Sequence, residues 1–72
     1  MNIAKLRGEI AEAYKTQIAF AQAIGWHKNK VSKLMTGKYL PNIEEAAEIS
    51  ELLRLTRKEY EDIFCSKNHH MV

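Results

Sequence analysis

Lys28, Asn29, Ser32 and Lys33 follow one another at steps of one, three and one residues, with Lys30 on their flank. On a helix this spacing gathers the first four onto one outward surface. All five side chains donate hydrogen bonds and none carries negative charge. Such residues can read base edges in a DNA major groove, lysine chiefly at guanine and asparagine chiefly at adenine. Their placement also runs against helix stability. Lys28 and Lys30 sit near an expected helix N-terminus, where the macrodipole disfavours a cation by about 0.3–1 kcal/mol each. A polyanion in the same space reverses that preference. The plainer alternative is a solvated polar face that lacks acids by chance.

The charge map favours the polyanion. The net charge is only +2, but residues 1–41 carry a balance of +5 and residues 42–72 a balance of −3. No acid occurs between Glu12 and Glu44, a gap that holds Lys15, Lys28, Lys30, Lys33 and Lys38. A basic stretch beside an acidic remainder suits a domain with one face turned to nucleic acid.

The elements that must position these residues follow from periodicity. Ile3, Leu6, Ile10 and Ala13/Tyr14 predict an amphipathic helix over 2–14 with Asn2 as its cap. Thr16 can cap a second helix, 17–24, which turns Phe20, Ala21 and Ile24 inward and ends at Gly25. A third helix at about Lys28 to Met35 has Val31, Leu34 and Met35 as inward positions and stops at Gly37. Asn42 with Glu45, and Thr56 with Glu59, give two capping-box patterns before further apolar-periodic runs. The expected fold is therefore all-α, with five helices and no strand. The domain spans 1–65, and 66–72 is a tail without apolar period. At 72 residues the chain allows one modest core, burying roughly 60% of its unfolded surface.

Residues 16–37, TQIAFAQAIGWHKNKVSKLMTG, resemble the helix-turn-helix of the phage repressor/Cro-like (xenobiotic-response-element type) regulators. Gln17 matches the glutamine that opens that family's second helix, and Ala21 the small residue at the helix crossing. Gly25 matches the turn glycine, and Val31 and Leu34 the apolar seats of the recognition helix. Gly37 to Pro41 and the helix at 43–53 are similar to the family's continuation, so the likeness spans roughly residues 3–64. It implies a compact five-helix, lambda-repressor-like domain whose helices 2 and 3 form the motif. Lys28, Asn29, Ser32 and Lys33 would then face bases. Thr16, Gln17, Lys30, Lys38 and Tyr39 would meet phosphates, helped by main-chain amides near Gly37, with Gln17 bracing Lys28. In relatives the C-terminal helix can pair across a two-fold axis. The Tyr60, Ile63 and Phe64 stripe is therefore expected to close the core, with dimer contacts across such an axis as the alternative.

Two positions depart from the family pattern. His27 stands where a Ser, Thr or Asp usually caps the recognition helix, and Trp26 where a medium aliphatic residue is usual. Trp26 is expected to fill the core, with base stacking or a partner contact as alternatives. His27 reads as a turn residue rather than a pH switch.

Other chemistry finds little support. Cys65, His69 and His70 match no closed tetrahedral metal set. No nucleophile–base pair or glycine-rich phosphate loop stands out, so no enzyme, cofactor or small-molecule ligand is expected. The acids of residues 44–51 read as a solvated face. With a lone cysteine, no leader pattern and no apolar run near ~18 residues, the expected setting is a reducing cytoplasm rather than a membrane.

The function expected is sequence-specific binding of double-stranded DNA by a transcriptional regulator. The resemblance implies a repressor of phage or mobile-element type, with a homodimer on a palindromic operator. A second class is a protein-interaction module, adaptor or antitoxin-like, using the acidic helices. A third reading is non-specific nucleic-acid binding.

Overall fold

Each helix starts where a side chain takes over an orphaned backbone N–H. Asn2 accepts from Lys5 N (3.1 Å) and opens α1, Ile3–Tyr14, while Thr16 accepts from Ala19 N (3.0 Å) and opens α2, Gln17–Ile24. His27 begins α3, Lys28–Met35, and Asn42 and Thr56 begin α4, Ile43–Leu53, and α5, Arg57–Phe64. The last two are complete capping boxes. Glu45 and Glu59 return the bond to the backbone N–H of Asn42 (3.0 Å) and Thr56 (2.8 Å). Each such cap contributes on the order of 1 kcal/mol. The computed structural model describes residues 1–65, and over these it holds five helices and no strand. The tail 66–72, and with it His69 and His70, lies outside the described residues.

The joins set the angles between helices. Thr16 N donates to Tyr14 O at 2.7 Å across Lys15, whose φ of 69° makes a γ-turn between α1 and α2. Gly25 ends α2 at φ 81°, with its N–H on Ala21 O, and Trp26 N–H reaches the same carbonyl. That left-handed turn is cheap only for glycine, and it swings α3 across α2.

One core holds all five elements. Leu6 and Ile10 from α1, Phe20 and Ala21 from α2, and Val31, Leu34 and Met35 from α3 pack with Ile49 of α4 and Ile63 of α5. Tyr14 sets its ring edge-on to Phe20 at 5.6 Å, and Asn2 N–H bonds Ile63 O at 2.7 Å, closing α5 onto the start of α1. Ile63 has no exposed surface and closes this core, so of the three residues that the resemblance offered as alternative dimer contacts it is not available as one. Only Tyr60 and Phe64, tilted against each other at 5.0 Å, remain half-buried at the rim.

Candidate nucleic-acid interface

Three inward anchors hold α3 in place. Val31 and Leu34 have no accessible surface and Met35 only 5%. With that side fixed, Lys28, Asn29, Ser32 and Lys33 are all exposed on the opposite side. The side-chain hydrogen bonds of this segment, among the described residues, are made by His27, Lys30 and Thr36 instead.

His27 supplies the cap that its residue type left in question. Its Nδ1 accepts from Asn29 N at 3.0 Å, the role a hydroxyl or carboxylate plays elsewhere. At the far end, Arg7 of α1 donates Nη1 to Met35 O at 3.3 Å, placing a cation on the negative end of the helix. Arg7 lies 28 residues from its partner, and no local pattern marks it. The first turns of α4 and α5 carry Glu44, Glu45 and Glu59, whereas the first turn of α3 carries no acid. α1 and α2 also lack an acid there, but of these three helices only α3 places two lysines, Lys28 and Lys30, in its first turn.

Around this helix, Thr16, Gln17 and Lys38 are also exposed. The Thr16 oxygen accepts the cap bond from Ala19 and keeps its own proton for another acceptor. No hydrogen bond joins Gln17 to Lys28 among the described residues. The main-chain amides near Gly37 are also already used. Gly37 N donates to Leu34 O, and Lys38 N and Tyr39 N both donate to Lys33 O. They close the C-terminus of α3 and are not directed outward at a phosphate.

Lys30 and Tyr39 depart furthest from the expected phosphate role. Lys30 Nζ sits 2.7 Å from Glu45 Oε2, and the Tyr39 hydroxyl donates to the same carboxylate at 2.7 and 2.9 Å. The ammonium lies over the Trp26 ring, 4.1 Å from its centroid, and 5.3 Å from that of Tyr39. The two rings meet edge-to-face at 6.3 Å. Trp26 packs on the core as expected, yet it also forms the floor of a cation site. Glu45, read from sequence as part of a solvated face, is the centre of this cluster.

The hydrogen bond from Lys30, then those from Tyr39 and the Asn42 amide, hold the Glu45 carboxyl down at about 2. The bond to Glu45 raises Lys30 and Tyr39 above their ordinary values. Because Glu45 is depressed in the fold, its contribution is present above about 4.5, the ordinary value, and is lost as pH falls toward 2. Acid melts of the wild type and of Glu45→Gln should therefore converge over that window and separate above it. Equal separation at every pH would show that the charge on Glu45 contributes nothing.

Among the described residues no group of acids, histidines and cysteine is placed to hold a metal ion, and Cys65 is exposed. No described helix is long and apolar enough to cross a membrane.

A helix seated by two buried aliphatic residues, crossing its predecessor after a glycine turn and turning a donor-rich face outward, defines a helix-turn-helix DNA-binding domain. Residues 4–63 match the family model described as helix-turn-helix domain, and the chain belongs to that family. Neither the curated proteins nor the solved structures give a match.

Proposed function

We propose that this domain is a sequence-specific transcriptional regulator of the repressor/Cro-like, xenobiotic-response-element type, reading duplex DNA through the major groove with α3. The observation that carries this reading is the exposure of Lys28, Asn29, Ser32 and Lys33 opposite the fully buried Val31 and Leu34. Lys28, Asn29, Ser32 and Lys33 contact bases and set the sequence preference. Thr16, Gln17 and Lys38 contact phosphates and supply affinity. Regulation is repression in the manner of a phage or mobile element, by occluding polymerase at an operator in the cytoplasm.

Tyr60 and Phe64 line an apolar groove with Met1, Leu40, Pro41 and Ile43, of which Leu40 is 69% and Ile43 83% exposed. A second copy covering this surface gives a homodimer, with two recognition helices about 34 Å apart on a palindromic site. Selection from a random duplex pool tests these points together. The expected result is an enriched motif arranged as a palindrome. Enrichment of single half-sites removes the dimer, and no enrichment over the starting pool removes sequence-specific reading. The same exposed groove favours the second reading, an interaction module with a protein partner. Its complex would form in nuclease-treated lysate and survive loss of Lys28 and Lys33.

A further inference from the structure

Glu45 occupies a cradle made of a cation, a hydroxyl and a main-chain amide. Lys30 Nζ lies at 2.7 Å, the Tyr39 hydroxyl at 2.7 Å and Asn42 N at 3.0 Å. The same donor set suits a phosphate oxygen, since lysine, tyrosine and backbone N–H groups are all common donors to the DNA backbone. The Lys30 side chain keeps 34% of its surface accessible, and that of Glu45 keeps 15%. The ammonium is thus restrained without being sealed from solvent. The pair also bridges α3, which carries the base-facing residues, and the N-terminus of α4.

Resting on the DNA-binding reading above, we infer that Glu45 is an internal competitor for the DNA backbone. Its carboxylate holds Lys30 and the Tyr39 hydroxyl away from phosphates and so limits the sequence-independent part of the affinity. Base reading by the outward face of α3 is left as it was. Loss of the carboxylate charge frees one cation per domain.

Glu45→Gln is the direct probe, because glutamine keeps the capping-box bonds while removing the charge. Its fold is checked by a thermal melt at neutral pH. Binding to a duplex of random sequence is then titrated by fluorescence anisotropy across a range of salt concentrations. The log–log salt slope should steepen by about 0.9 per domain, so that the affinity gain over the wild type grows about three- to fourfold as salt falls from about 200 to about 50 mM. Glu44→Gln makes the same charge change at an exposed neighbour and should leave the slope where it was. Lys30→Gln added to Glu45→Gln should return the slope to that of the wild type. If Glu45→Gln does not fold, Lys30→Gln alone reads the point from the other side. It should lower the slope by much less than the ~0.9 of a made phosphate contact.

An unchanged slope in Glu45→Gln, or equal steepening in Glu44→Gln, overturns the inference while leaving DNA binding intact. A full unit lost in Lys30→Gln does the same. Absence of binding by wild type and variant to any duplex removes the DNA-binding reading itself, and this inference with it.

Discussion

Leu34→Ala is expected to unfold most of the protein at physiological temperature and to abolish DNA binding at any salt concentration. Leu34 has no accessible surface and shares a core with Leu6, Ile10, Phe20, Val31, Ile49 and Ile63, so its removal leaves a cavity bordered by several helices. Truncations of this kind cost about 2–5 kcal/mol. A domain of this size rarely holds more than about 3–5 kcal/mol in reserve without a disulfide or metal. The loss therefore takes most of the stability. Leu34 also fixes which side of α3 faces out, so partial refolding by mass action with DNA would be inefficient. Ser32→Ala, two residues away and exposed, should shift stability by no more than about 0.5 kcal/mol. Melting curves followed by circular dichroism separate the two. A Leu34→Ala melt within a few degrees of the wild type would mean that α3 is seated by other contacts.

The contrast between those two residues was legible in the sequence. Val31 and Leu34 share one face at a step of three, and glycines stand at both ends of the segment. Local signals of that kind also located the caps. Asn42 with Glu45 and Thr56 with Glu59 act across three residues, and both boxes are present. What the sequence did not disclose depends on contacts between distant residues. Lys30 meets Glu45 across 15 residues and Arg7 meets Met35 across 28, and neither distance is an element period. Glu45 satisfied a capping pattern, which was reason enough for its presence and concealed its second role. Lys30 lay at the edge of the outward face, where a small rotation decides between solvent and a neighbouring helix. Ile63 shared a stripe with Tyr60 and Phe64, and a stripe alone does not say which member points inward. His27 could be read as a turn residue, but its capping bond depends on a ring rotamer that composition does not specify.

Lys28→Ala and Lys33→Ala should each weaken binding to the selected operator by roughly 5- to 150-fold, the range set by ~1–3 kcal/mol per base-reading contact. Their effect on random duplex should be much smaller. Both side chains are exposed on α3, and neither is engaged with another part of the domain as Lys30 is. Truncating them therefore removes a contact with DNA without disturbing the fold. Lys38 offers the opposite signature. It lies outside α3, just past its C-terminus, with its backbone N–H bonded to Lys33 O at 2.9 Å and its side chain exposed. Lys38→Ala should weaken operator and random duplex by similar factors and flatten the salt slope by about one unit. The discriminating quantity is the ratio of the two affinities, measured at several salt concentrations for each variant. It should fall for Lys28→Ala and Lys33→Ala and stay level for Lys38→Ala. Three variants with the same ratio would mean that α3 approaches DNA only as a charged surface. In that case the outward arrangement of its donors carries no sequence information.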